Sequence, residues 1–360
     1  KTDLTLEQNI FNGGRSILAL KMAKYTIESG RAALIAKEQE VLLKAINAYL
    51  DLVFDKEKLE IHKENVKAYQ IKYQSVKYKL ESGFARPADL DNALSKKLDA
   101  ESNLAEISGK YISDQANYLQ VIGLEPNDIS LGNHLSYIID SQEDLMNKSL
   151  KSNPELIKTI YSQKAADLNV KYNAAALFPS VDLGAKLSKL WENDKSKSVI
   201  QPYTNSKSIY VSLKIPIYNK GVEYSNIRYS NADAAKLKYQ LKNIKALITK
   251  QATQAWNNYI TAMEMLNSSK QAVSAGVTAL SGKQKEYDEG QISLTELLDM
   301  QENLLKYKIR LADVTKDFKL KLYNMDYVMG SLTASNLKLP TKLYNPVANY
   351  DKIKYQLIGF

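Results

Sequence analysis

Leu4-Thr-Leu-Glu-Gln-Asn-Ile-Phe-Asn-Gly-Gly14 and Val211-Ser-Leu-Lys-Ile-Pro-Ile-Tyr-Asn-Lys-Gly221 are two versions of one segment, and the spacing between them, 207 residues, persists far beyond them. Leu6, Ile10, Asn12 and Gly14 meet Leu213, Ile217, Asn219 and Gly221 at this offset. Ala48, Leu59, Val66 and Ala68 then meet Ala255, Leu266, Val273 and Ala275, and Gly83, Leu90, Leu104, Asn117 and Gly123 meet Gly290, Leu297, Leu311, Asn324 and Gly330. Residues 4–124 and 211–331 are thus a gapless internal duplication, with a period too long for a solenoid.

Each copy opens with apolar residues at every second position, Leu4, Leu6 and Ile10 in the first and Ile209, Val211, Leu213, Ile215 and Ile217 in the second. Period two marks a strand with one apolar face. A further alternating segment precedes the second copy, with Val181, Leu183, Ala185 and Leu187 between Asp182, Gly184, Lys186 and Ser188. Joined through the polar residues 192–207, the two form a β-hairpin spanning about 177–218. Strands of this length match the roughly 9–11 residues of a tilted membrane strand. Val181, Leu183, Leu187, Trp191, Ile209, Val211, Leu213 and Ile215 are the expected membrane-strand residues, and Phe178, Trp191, Tyr210 and Tyr218 stand near the ends, where aromatic girdles belong. A soluble amphipathic hairpin carries the same alternation.

After each Asn-x-Gly turn the period becomes helical for nearly seventy residues, to Gly83 and Gly290, roughly 100 Å at 1.5 Å per residue. In the second copy the stripe runs from Leu237 through Ile248, Ala255 and Leu266 to Val277 and Leu280. Beyond Gly290 it tightens to heptads at Leu297, Gln301, Leu304, Lys308, Leu311, Thr315, Phe318, Leu322, Met325 and Met329, which predicts left-handed supercoiling. The ascending and returning helices are separated only by Gly83–Asp89 and by 290–296, with glycine ending one helix and Pro87 or Thr295 in the first turn of the next. Residues 125–176 read as irregular chain, then shorter helices, one starting at Asn153-Pro154-Glu155-Leu156. Residues 332–360 have no sustained period. The expected organisation is a first repeat (1–124), an equatorial segment (125–176), a second repeat with its hairpin (177–331) and an equatorial tail (332–360).

The net charge is +9, but the lysines alternate with Glu and Asp as on solvated helix faces, without the basic stripe interleaved with aromatics that nucleic acid requires. Cysteine is absent, which excludes disulfides and thiol chemistry. No apolar run approaches the roughly 20 residues of a membrane helix, so any crossing of a bilayer is by strands. His62 and His134 are the only histidines and stand in unrelated contexts, and no phosphate-cradling loop occurs. No catalytic residue, metal ligand or cofactor is expected.

Asn12-Gly-Gly-Arg15 after a strand, the tips from Gly83 to Leu90 and from Gly290 to Leu298 with Asp299, Asn153-Pro-Glu-Leu156 and Phe178-Pro-Ser180, in this order within a duplication, resemble the TolC-like outer-membrane efflux channel family. The resemblance covers essentially the whole chain. It implies a mainly α fold with a membrane β part: duplicated long helical hairpins forming a trimeric α-barrel, capped by a shared 12-stranded β-barrel, with an equatorial mixed region. It implies a homotrimer in the outer membrane of a Gram-negative bacterium, in contact with outer-membrane lipid and reaching through the periplasm. Such a tube exports drugs, other small molecules or proteins, type I secretion included, when a periplasmic adaptor and an inner-membrane pump engage its tips. Only three of the family's four strands per protomer are visible, so the native chain is expected to continue toward the N-terminus with a helix, a strand and a signal peptide.

The same resemblance points to residues. Glu296 and Asp299 match an acidic ring at the periplasmic entrance, and Asp89 and Tyr287 match latch positions. The arginine expected two residues after Gly290 is Ile292, for which Arg86 of the first tip is the candidate substitute. Gly83, Leu90, Gly290 and Leu297 fall in the tip turns, where an adaptor makes contact. Glu296 and Asp299 also suit ordinary helix N-terminal capping, and one carboxylate can do both. A soluble coiled-coil scaffold explains the helices but leaves the recurring strands without a purpose.

Overall fold

A computed structural model of the chain describes residues 2–126, 129, 139–190 and 204–354; Trp191, His134 and most of the polar hairpin connection lie outside them. The elements are β1 (Thr2–Asn12), α1 (Arg15–Glu81), α2 (Pro87–Ile122), α3 (Gln142–Ser152), α4 (Pro154–Ala174), β2 (Ser180–Leu190), β3 (Thr204–Lys214), α5 (Val222–Asp288), α6 (Leu294–Met329) and α7 (Ala348–Ile353). Adding 207 to the bounds of α1 and α2 gives the bounds of α5 and α6 to the residue. No helix of the described residues is long and apolar enough to cross a membrane.

The chain forms two compact units, Lys1–Leu34 with Pro154–Leu247 and Ile35–Asn153 with Ile248–Phe360. The first contains the sheet, ordered β1-β2-β3 and antiparallel throughout. Each strand has 11 residues. Directly opposed residues share a face, so Leu4↔Leu187, Leu6↔Ala185↔Ile209, Leu183↔Val211 and Val181↔Leu213 join into one apolar surface. It is uncovered: Leu4 is 65%, Ile209 82% and Leu213 61% exposed. Ser29 Oγ on α1 donates to the Lys158 carbonyl of α4 (3.1 Å), and the Arg15 guanidinium lies 4.3 Å from the centre of the Tyr172 ring.

Three sequence expectations about the strands are corrected. Ile215 and Ile217 lie past β3, which ends at Lys214; Pro216 supplies no N–H to a ladder, and the chain runs on unpaired to the turn. Residues 204–207, expected in the loop, are already strand. Tyr210 is not a girdle residue. It sits mid-strand on the polar face, its ring crossing Gly184, where a Cβ would stand 2.3 Å from Tyr210 Cζ, and its hydroxyl donates to Glu7 Oε1 at 2.7 Å. One tyrosine thereby links all three strands, and only glycine admits it at 184. Phe178 and Tyr218 remain exposed beyond the strand ends.

In the second unit α6 is held on two sides. The heptad seam expected from sequence includes buried Leu297, Leu304, Met325 and Met329. A second seam, Leu294, Leu298 and Ala312, is buried too, with Leu294 and Leu298 packed among Tyr69 and Val76 of α1 and Ala93 and Ala100 of α2. Each fully buried leucine contributes about 1.5–3 kcal/mol. On α5 the stripe holds except at Val277, which is exposed; beside it the buried Gly276 receives the Tyr307 ring of α6. Leu145 of α3 packs against Ala252 and Ala255 of α5 and Met325, Val328 and Met329 of α6. Asn153, ending α3, donates from Nδ2 to the Val328 carbonyl at 2.9 Å. The segment after α6 is pinned where Ala334 N donates to Glu38 Oε1 (2.8 Å) and Leu332 is fully buried.

Candidate functional site

Both tips solve one local problem, reversing a helix within five residues. Gly83 and Gly290 adopt φ +79° and +75°, a left-handed conformation that costs other residues roughly 1–2 kcal/mol. Schellman closures follow: Phe84 N donates to the Lys79 carbonyl (2.7 Å) and Gln291 N to the Glu286 carbonyl (2.8 Å). The returning helices then start at Pro87 and Leu294 behind extended Arg86 and Ser293. Asp89 and Glu296, which are 207 residues apart, occupy the same position, the third residue of the returning helix, and both accept from the backbone N–H of the residue before it (3.2 and 3.4 Å). The presumed latch acid and the presumed ring acid are thus structural equivalents. Ser293 completes its tip as a capping box, accepting from Glu296 N at 3.2 Å; the Ser-x-x-Glu spacing was legible in sequence.

Around this shared frame the side chains differ. In the first tip the Arg86 guanidinium donates to both Asp89 oxygens (3.0 and 2.9 Å), and this bond holds the Asp89 carboxyl below its usual range. Arg86 is therefore engaged within its own turn. In the second tip Asp299 is 59% exposed, one turn beyond Glu296, with Lys96 Nζ of α2 at 4.0 Å. Lys96 makes its closer bond to Glu302 (2.5 Å), and hydrogen bonds from Lys306 and Lys96 hold Glu302 down to about 2. Tyr287 packs against the cluster around Tyr69 with Lys72 and Lys79 of α1 over its ring, 5.0 and 4.6 Å from the centroid. Leu90 is partly buried against the same cluster. Leu297 is 2% exposed, so it supports the turn from beneath and offers no surface to a partner, contrary to expectation.

Sequence reading missed a buried ionic network on α1, α2 and α6. Asp55 is fully buried; it receives Lys58 Nζ at 3.0 Å and Lys110 Nζ at 2.8 Å, and Lys58 also reaches Asp313 at 2.5 Å. Burial drives Asp55 upward, but bonds from Asp114, Lys110 and Lys58 outweigh it and bring it to about 2. Burial and the Asp55 bond push Asp114 to about 6. The signal was a charged pair inside the apolar run Leu50-Asp-Leu-Val-Phe-Asp55. His62 is a helix-packed residue whose pKa burial lowers. Among the described residues no cluster could hold a metal ion.

The model of the "Outer membrane efflux protein" family matches residues 1–124 and 145–331. The outer membrane efflux protein BepC of Brucella suis is 24% identical over 356 residues, covering 99% of this chain and 77% of BepC. The outer membrane protein TolC of Vibrio cholerae is 22% identical, covering 89% of this chain and 75% of TolC. The crystal structure of the outer membrane protein VceC from Vibrio cholerae superposes with a TM-score of 0.76 at 15% identity, covering 91% of this chain and 79% of that one. Duplicated helical hairpins, an amphipathic sheet with an uncovered apolar face and a match over both repeats lead to one conclusion: the chain belongs to the outer membrane efflux protein family, whose members are passive channels of the Gram-negative outer membrane rather than enzymes.

Proposed function

We propose that the chain is the exit duct of a tripartite efflux system, three copies enclosing one conduit that an adaptor and an inner-membrane pump load from the periplasmic tips. The observation that carries this reading is the sheet. Its apolar face is bare, and β1 and β3 each have only one partner among the described residues. In a bilayer every backbone N–H and C=O needs a partner, which edge strands find only when the sheet closes on itself or on copies. Closure by copies turns the apolar face to lipid and the face bearing Glu7, Asp182 and Tyr210 to water.

The tips are the gate in this reading. Three copies of Glu296 and Asp299 crowd carboxylates around the entrance, attracting cations and favouring their passage or their block. Glu296 caps its helix at the same time, and Arg86 with Asp89 rigidifies the first tip from within rather than latching a neighbour. Lys96, bonded from the first hairpin to Glu302 of the second, joins the hairpins just beyond the ring. Single-channel recording of Glu296→Gln with Asp299→Asn tests the gate: block by divalent cations is expected to weaken at least tenfold, and unchanged block would remove both residues from the entrance.

A further inference from the structure

Between α1, α2 and α6, on the tip side of the buried ionic network, lies a cavity of about 250 Å³. Several of its polar groups lack partners. Asn65 on its floor is only 6% exposed, and its amide makes no hydrogen bond among the described residues. One turn away His62 Nδ1 is buried and unpartnered, and burial lowers the pKa of the ring, which stays neutral with one nitrogen to donate and one to accept. Asp99 and Asn103 of α2 stand exposed at the mouth, likewise without a hydrogen bond or ion pair among the described residues. An unpaired buried polar group costs roughly 1–3 kcal/mol, which a guest that bonds it relieves. The second copy has no such set: Ser269, Ala272, Lys306 and Arg310 stand at the offset positions of His62, Asn65, Asp99 and Asn103.

The charge lining the cavity balances, Lys96 and Lys306 against Asp99 and Glu302, and Glu302 already holds both lysines (2.5 and 2.6 Å). A small ion therefore finds no net field there. The unpaired groups, two amides, a neutral imidazole and a carboxylate, both donate and accept. They face an apolar side of Ala100, Leu305 and Ile309, against which water alone is poorly held. A ring that carries hydroxyls on its edge and C–H groups on its face matches both sides of this lining. The space lies below the roughly 300–1,000 Å³ of drug-sized sites, which suits a single small ring. We propose that the cavity binds one neutral, hexose-sized polyol, a free sugar or the end unit of a glycan. Its hydroxyls bond Asn65, His62, Asp99 and Asn103, and its C–H face rests on Leu305 and Ile309. All of these residues lie in one compact unit of one chain, so the site does not depend on how copies assemble.

The test is saturation-transfer NMR of the full chain, purified in a detergent without a sugar head and titrated with glucose, maltotriose, methylammonium or acetate. The proteins compared are the parent, Asn65→Leu, Asp99→Ala, and Glu64→Gln, which lines the neighbouring hollow between α1, α5 and α6. Both sugars are expected to bind the parent and Glu64→Gln alike, and each of the two site variants to weaken binding about tenfold, the loss of one to two hydrogen bonds. Binding of glucose supports a free sugar as the guest, and binding of maltotriose alone supports a glycan end. Binding of neither overturns the site, as does undiminished binding by the two site variants or an equal loss in Glu64→Gln. Methylammonium or acetate bound more tightly than either sugar overturns the choice of a neutral guest. Circular dichroism checks that Asn65→Leu keeps its helices; should it not, Asp99→Ala at the exposed mouth decides alone.

Discussion

The two copies of the repeat agree in their helices and disagree nearly everywhere chemistry is specified. α1 and α5 start, end and turn at equivalent residues, because glycine at the tip and an acid at the third position of the returning helix dictate where a helix stops and the next begins. Yet Asp55, Lys58, Lys110 and Asp114 of the first copy stand opposite Ala262, Met265, Asp317 and Lys321 of the second. One copy buries charge at a level where the other buries Ala262, and Asp317 and Lys321 pair with each other on one helix (2.9 Å). The strands diverge too: β1 reaches Asn12 through a register shift between Asn9 and Phe11, while β3 stops short of Pro216. Backbone architecture was duplicated and retained; interfaces were specialised copy by copy.

The largest expected effect comes from unbalancing the buried network. Lys58→Met removes the buried one of the two lysines that hold Asp55, leaving Lys110 alone, and should cost about 3–5 kcal/mol at most, read as a fall in the urea midpoint. Combining it with Asp55→Ala makes the first copy resemble the second and should recover most of that loss. Failure to recover would mean that the two levels of the repeat are packed differently rather than merely decorated differently.

The same network predicts a pH dependence that Asp55 and Asp114 of the first copy carry. The Asp114 carboxyl, raised from 3.8 to about 6 in the fold, binds its proton more tightly folded than unfolded. Its stabilising contribution is therefore complete below about pH 4 and is lost as pH rises through 6, by roughly 1–3 kcal/mol. Asp55, lowered to about 2, contributes above pH 4 and loses that contribution as pH falls toward 2. Stability profiles of Asp114→Asn should lack the limb between pH 4 and 6 and retain the lower one.

Smaller effects sharpen the equivalence of the tips. Gly83→Ala and Gly290→Ala should each cost about 1–2 kcal/mol, visible as faster amide exchange in the preceding helical turn. Unequal losses would mean that one turn is supported by its neighbours. Ser293→Ala removes the cap that accepts from Glu296 N and should cost about 1 kcal/mol, detected in the exchange rate of the Glu296 amide.

The helices were legible because the period, the capping glycines and the offset agree with one another over long windows. The strand alternation was legible as well, but the end of β3 was not taken from Pro216, and Tyr210 was read by position when its ring is fixed by the missing side chain at Gly184. The second seam of α6 escaped because Leu294, Leu298 and Ala312 run one phase away from the stronger heptad, and a stave held on both sides needs both. At the tips the sequence offers Asp89 and Glu296 separately, and only the capping geometry displays their equivalence under the offset. Lys96, Lys72 and Lys79 were invisible because a lysine on a helix face carries no mark of the neighbour it reaches.

Among the described residues the apolar sheet is uncovered and has two open edges, and the proposed duct requires it to close on copies of itself. Native mass spectrometry of the detergent-purified protein measures this directly. A single species of three chains that releases monomer only on unfolding is the expected result; a stable monomer, folded and membrane-bound, would contradict it.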